Sequence, residues 1–159
     1  MTGGVPIALR ALDDDQVGAL VSGRRLPGWH GSYPTAEDVM IARLWDEGRW
    51  LPAPWQVVDL GLVVGTIGTK GPAGGDAAEA EISYGLVDGA RGHGVGTAML
   101  TLALERLTAL GLTRVVAHTD ADNAANLRML LRAGFSVIGE NADEVLLALR
   151  LERPEPEEA

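Results

Sequence analysis

The chain has 159 residues, 47% of them apolar, and no cysteine. That length suits one domain with a full hydrophobic core, and the missing cysteines exclude disulfides, thiolate metal sites and a covalent cysteine intermediate. The formal net charge of -9 speaks against nucleic acid, whose phosphates need a basic surface, and fits either a cationic substrate or plain solubility.

Ile7 to Leu9 reads as a short strand. Asp13 to Val21 follows as a helix with acidic residues in its first turn, where the helix dipole favours them. Gly23 to Pro34 is a loop rich in Gly, Pro, Trp and Tyr. Thr35 and Asp38 form a capping-box pattern before a helix that carries Val39, Met40, Ala42, Leu44 and Trp45 and ends before Gly48. Gln56 to Leu60 and Leu62 to Thr69 read as a strand pair turning at Asp59-Leu60-Gly61. Gly71 to Asp76 reads as a flexible turn, and Glu79 to Val87 as the fourth strand. Val95 to Leu110 is an apolar helix that stops at Gly111, and Arg114 to His118 is a β-branched strand. Asn123 to Ala133 is a helix capped by Gly134, and Phe135 to Gly139 and Val145 to Leu151 close the sheet. Antiparallel strands come first and α/β crossovers later, which predicts a mixed α/β (α+β) sheet flanked by helices. Residues 1–151 form one expected domain, and the acidic, proline-bearing tail 152–159 is expected to be disordered.

No apolar run approaches the roughly 20 residues of a membrane-spanning helix, so no membrane partner is expected. Met1 to Arg10 lacks the basic-then-apolar pattern of a secretory signal, which leaves a cytoplasmic location as the expectation. His30, His93 and His118 lack ligand spacing, so no metal is expected either.

The informative segment lies between the fourth strand and the apolar helix. Glycines 92, 94 and 96 strip the turn of side chains, so backbone N–H groups can approach an anion at the positive end of a helix dipole. Arg91 adds a positive charge. A nucleotide P-loop would need Gly-Lys-Ser/Thr, and Gly96 is followed by Thr97-Ala98. A dinucleotide fingerprint would need glycine where Thr97 stands, although Asp120 could imitate its ribose-binding acid. A plain strand-to-helix turn is the third reading.

The segment resembles motif A of the GCN5-related N-acetyltransferase (GNAT) superfamily, Arg/Gln-x-x-Gly-x-Gly/Ala, through Arg91, Gly94 and Gly96. Val63-Val64-Gly65-Thr66-Ile67-Gly68 and Glu81-Ile82-Ser83-Tyr84-Gly85-Leu86 look like the family's third and fourth strands. The run from Asp122-Asn123 to Gly134-Phe135 looks like motif B. The resemblance runs from about Val57 to Arg150, closest to the branch related to ribosomal-protein N-terminal acetyltransferases, whose members act on many different amines.

The resemblance implies roughly six to seven strands and about four helices, with the sheet splayed between the fourth and fifth strands. It implies acetyl-CoA as co-substrate, an amine of a small molecule or a peptide N-terminus as acceptor, and, since dimers are common in the family, compatibility with a homodimer. Gly92, His93, Gly94, Val95, Gly96 and Thr97 would wrap the pyrophosphate with Arg91 at its mouth. Gly85, Leu86 and Val87 would bind the pantetheine arm through backbone groups, with Asn123 and Asn126 opposite. Arg128 and Arg132 either reach phosphates or form a solvated helix face.

Direct transfer needs a neutral amine beside the thioester, hence a base. Glu81, on the fourth strand, is the first candidate, with Glu79 on the same face by period two. His118, at the end of the fifth strand, is the second, because an imidazole titrates near neutral pH. Many family members carry an acidic tyrosine on the motif-B helix, where this chain has Leu130; Tyr84 and Tyr33 are its only tyrosines. A thiol of pKa about 8.5 can also leave unaided. Trp29, His30, Tyr33 and Trp55 are candidates for an aromatic wall around the amine, or for ordinary loop packing.

Overall fold

The computed structural model describes residues 6–50, 52–72 and 78–152. The elements are β1 (Ile7–Ala11), α1 (Asp14–Ser22), α2 (Ala36–Gly48), β2 (Trp55–Asp59), β3 (Leu62–Pro72), β4 (Glu79–Leu86), α3 (Val95–Ala109), β5 (Arg114–Asp120), α4 (Ala124–Arg132), β6 (Ser136–Glu140) and β7 (Glu144–Arg150). The seven strands form one sheet in the order β1-β2-β3-β4-β5-β7-β6. All neighbours are antiparallel except β4 and β5, which α3 connects in parallel. The mixed sheet with four α-helices is the expected one. The expected flexible turn at Gly71–Asp76 and the acidic tail lie mostly outside the described residues, although β3 itself runs on to Pro72.

Local chemistry sets the element ends. Asp13 caps α1 by accepting from the Gln16 amide at 2.8 Å. Thr35 and Asp38 complete the reciprocal capping box of α2. Leu60 and Gly61, at φ 52° and 80°, make the two-residue turn between β2 and β3. The cap of α4 falls on Ala133 rather than Gly134, which follows it at φ 104°. Helix α3 turns Val95, Met99, Leu100, Ala103 and Leu107 inward, all buried, and packs against β1 and β3.

Two adjacent β4 residues show which helices cover which face. A Cβ on Gly85 would meet Asp38 of α2, whereas Leu86 reaches toward Gly96 of α3. Successive strand residues point to opposite faces. Helix α2 therefore covers one face of β4, and α3, with Met129 of α4 against Gly96, covers the other. The β4–β5 ladder holds only at Glu79↔Arg114, Ala80↔Val115 and Glu81↔Val116. Beyond Glu81 the strands separate and the sheet splays.

Candidate active site

The splay opens a cleft of about 1400 Å³ with its vertex at Glu81 and its mouth at the turn after Leu86. Arg91, Gly92, Gly94, Gly96 and Thr97 line the mouth. Gly92 and Gly94 both sit at φ 80°, a left-handed conformation that glycine adopts without strain. Gly94 is the N-cap of α3 and supplies no side-chain hydrogen bond. The first amides of a fifteen-residue helix thus face the cleft without a side-chain acceptor. This arrangement suits a phosphate group.

Individual residues of the loop differ in what they offer. The Val95 side chain is buried in the core at 1% exposure, so only its backbone can meet a ligand. A Cβ on Gly96 would meet Met129 Sδ at 3.0 Å, so this glycine also serves the contact between α3 and α4. Arg91 leans back on the Leu86 carbonyl at 3.4–3.5 Å and on Asp88 at 3.4 Å. His93 is exposed and is not part of the cleft wall. Arg128 and Arg132 are exposed and line the cleft.

The expected backbone contacts at the end of β4 narrow to one residue. The Val87 amide donates to Val64 O at 2.9 Å, and the Gly85 carbonyl lies against Gly65 of β3. Backbone groups alternate in direction along an antiparallel pair. Leu86 therefore turns its N–H and C=O toward the splay.

At the vertex, Glu81 Oε1 lies 3.0 Å from His118 Nε2, and its Oε2 lies 3.0 Å from Lys70 Nζ. The two candidate bases are thus in contact with each other. Lys70 is the direct cross-strand partner of Glu81, a neighbour that sequence reading missed. Strand β5 continues two residues past His118, which therefore stands within the strand and across the opening gap. Glu79 pairs instead with Arg114 at 2.8 Å and does not line the cleft.

Tyr84 faces the other way, toward α4. Its hydroxyl donates to Asn126 Oδ1 at 2.5 Å, and Asn126 Nδ2 donates to Thr119 Oγ1 at 2.9 Å. This chain ties β4, α4 and β5 together across the splay. Burial pushes the Tyr84 phenol up to about 12, with the Asn126 hydrogen bond offsetting part of the shift. The Asn123 side chain caps α4 by accepting from the Asn126 amide at 3.2 Å. Leu130, at the motif-B tyrosine position, is fully buried.

The aromatic residues of the 23–34 loop do not form a wall around the cleft. Trp29, Tyr33 and Trp55 are core residues at 6%, 0% and 6% exposure. Trp29 meets Tyr33 edge-on at 5.1 Å, Trp29 donates to Gln16, and the Tyr33 hydroxyl bonds Thr66 at 2.7 Å. Burial pushes the Tyr33 phenol up to about 12. The loop is a lid on the core because its rings bury more apolar area against α1 and β3 than solvent exposure would allow. None of these four residues, His30 included, lines the cleft.

Asp38 is a second residue that sequence reading understated. It is fully buried, and its Oδ1 has no hydrogen-bond partner meeting standard geometry. Desolvation raises its carboxyl above the ordinary value, against the partial counterweight of Thr35 and nearby Thr66. Its neighbours Glu37 and Met40 line the α2 face of the cleft.

Among the described residues, no group of three or more His, Cys, Asp or Glu is arranged to hold a metal, and no helix is long and apolar enough to cross a membrane.

Comparison with known proteins places this geometry in a family. The model of the Acetyltransferase (GNAT) domain matches residues 7–136, which include both walls of the cleft. A mycothiol acetyltransferase from Corynebacterium aurimucosum is 35% identical over 57 residues, a match that spans 36% of this chain and only 19% of that protein. The ribosomal-protein-S18-alanine N-acetyltransferase of Escherichia coli shares the fold at TM-score 0.68 and 14% identity, over 97% of this chain and 99% of its own. The yncA protein of Salmonella typhimurium, solved with its cofactor acetyl-CoA, does so at TM-score 0.65 and 20% identity, over 96% and 98%. The extent of the family match decides the assignment, and the chain belongs to the GNAT acetyltransferase family.

Proposed function

We propose that this protein is an acetyl-CoA-dependent N-acetyltransferase, carried by a single domain over residues 1–151, that moves the acetyl group directly onto a primary amine. The acceptor is a small molecule or a peptide or protein N-terminus. The observation that carries this reading is the cleft at the β4–β5 splay, with a glycine turn at its mouth and Glu81 with His118 at its vertex. Family membership supports the acyl transfer, and the relative solved with acetyl-CoA supports the donor.

The backbone amides of 92–97 and the Arg91 charge would hold the pyrophosphate, with Arg128 and Arg132 close enough to meet further phosphates. Leu86 and Glu81 are separated by roughly 17 Å of extended strand. A long, thin pantetheine arm lying in the gap from the mouth would bring its thioester toward the vertex. There the acceptor loses a proton to a base, and its lone pair attacks the thioester carbonyl. Collapse of the tetrahedral carbon breaks the C–S bond, and the sulfur takes the electron pair and a second amine proton, leaving one N–H on the amide. Tyr84, the one tyrosine of the two that lines the cleft, would relay that proton, its hydroxyl giving one to the sulfur as it regains one from the amine.

The buried Leu130 favours a second reading, in which the chain binds acetyl-CoA without turning it over. Thiol release with a panel of amines, run beside calorimetric titration of CoA, separates the two. Amine-dependent release supports the enzyme. Tight CoA binding with no release supports the binding module, and absence of CoA binding overturns both.

A further inference from the structure

We propose that Lys70, Glu81 and His118 divide the proton-handling work, with His118 Nδ1 as the base and Glu81, anchored by Lys70, as the group that positions it. This rests on the acetyltransferase reading above. It goes beyond that reading by assigning different tasks to the two candidate bases and a task to a lysine.

Each Glu81 oxygen already faces a donor, Oε1 the imidazole Nε2 and Oε2 the Lys70 ammonium, both at 3.0 Å. The Glu81 side chain is only 18% exposed, whereas His118 is 47% exposed and opens onto the cleft. An incoming amine therefore meets the imidazole more readily than the carboxylate.

A carboxylate on Nε2 requires that nitrogen to carry the proton in the neutral ring, which leaves the lone pair on Nδ1. Nε2 is the ring nitrogen that faces Glu81, at 3.0 Å, so Nδ1 lies on the opposite side of the ring from the carboxylate. The ring is thus held with a base facing outward and an acid-stabilising partner behind it, the same logic by which a buried carboxylate orients a histidine in hydrolases.

Glu81 is the last β4 residue paired with β5, and His118 lies two residues beyond the matching Val116. Their contact therefore bridges the splay at its vertex. Lys70 is fixed opposite Glu81 by the β3–β4 register, so the carboxylate cannot swing away without breaking a cross-strand pair. Glu37 of α2, Asp120 of β5 and Glu144 of β7 are the other acidic groups that line the cleft, and they bear on any pH profile.

In this scheme the ammonium of the acceptor gives one proton to His118 Nδ1, which passes it to solvent. The freed lone pair forms the C–N bond, the C–S bond breaks, and the second amine proton ends on sulfur. The products are the amide, CoA thiol and one released proton.

The test compares His118→Gln, Glu81→Gln, Glu81→Ala and Lys70→Met by steady-state thiol release between pH 6 and 10. His118→Gln should lose about 10²-fold or more in kcat with the acetyl-CoA KM unchanged, and should recover as pH rises and the amine deprotonates itself. Glu81→Gln, which still accepts from Nε2–H, should lose about ten-fold or less, and Glu81→Ala clearly more. Lys70→Met should lose a few-fold in kcat with KM unchanged, and Lys70→Arg should restore it. A larger loss in Glu81→Gln than in His118→Gln would overturn the division while leaving the acetyltransferase reading intact. No turnover by the wild type would overturn both. Nitrogen NMR of the His118 ring gives a readout independent of activity. The wild type should show the Nε2–H tautomer and Glu81→Ala a mixture, and an Nδ1–H ring in the wild type would overturn the proposal.

Discussion

Replacing Gly94 separates the backbone and charge requirements of the turn. Gly94 caps α3 at φ 80°, where an L-residue costs about 1–2 kcal/mol. Both Gly94→Ala and Gly94→Glu should therefore melt about 2–8 °C below the wild type. Only the glutamate adds a carboxylate to the mouth of the cleft, where Gly94 forms part of the wall. One negative charge about 4 Å from another, at an effective dielectric constant of about 20, is repelled by about 4 kcal/mol. That corresponds to roughly a 10³-fold weaker CoA complex. Calorimetric titration of CoA into the three proteins, beside their melting curves, reads both effects. Gly94→Ala should bind within about ten-fold of the wild type, whereas Gly94→Glu should show no measurable heat. If Gly94→Glu binds as well as Gly94→Ala, the mouth is not where the phosphates sit.

The surroundings of the cleft lead to three further expectations. A Cβ on Gly85 would meet Asp38 Oδ1 at 2.8 Å and Thr35 Oγ1 at 2.9 Å, so Gly85→Ala should cost about 1–3 kcal/mol in chemical denaturation; an unchanged midpoint would mean that α2 can yield there. Burial holds the Asp38 carboxyl above its ordinary value, so its contribution to stability is complete below about pH 3.9 and fades as pH climbs through the native value. The melting temperature of the wild type relative to Asp38→Asn should therefore fall as pH rises from about 4, and a difference that grows with pH would contradict this linkage. Tyr33 and Tyr84, both raised to about 12, should show little phenolate absorbance at about pH 10.5 in the folded protein and most of it in denaturant. Each supplies stability that is present below about pH 10 and is lost as pH passes through 12; early phenolate absorbance in the folded state would show that one ring is solvated.

The glycine turn was legible because its requirements are local. Glycines 92, 94 and 96 before an apolar helix dictate bare amides at a helix start, whatever the rest of the chain does. The Thr35–Asp38 cap was legible for the same reason. What escaped depends on register and burial. Lys70 meets Glu81 only because β3 and β4 align in one particular way, and the segment between them offers more than one glycine-containing pair at which a turn could set the alignment. Asn126 is expected opposite the pantetheine arm, and what the sequence does not reveal is that it bridges Tyr84 and Thr119, because the splay brings three elements within side-chain reach. The aromatic loop was open to a functional reading because rings that line a site and rings that fill a core have the same sequence signature. Trp29 and Tyr33 lean on each other and on Gln16 and Thr66, which the sequence holds far apart.

The central claim is that the splayed cleft binds acetyl-CoA with its phosphates at the glycine turn and its thioester at the vertex. A crystal structure of the protein with CoA tests this most directly. The account predicts the pyrophosphate on the amides of residues 92–97 and the sulfur between β4 and β5, facing His118. A cofactor bound outside the cleft, or threaded through it with the phosphates at the Glu81 vertex, would contradict the account.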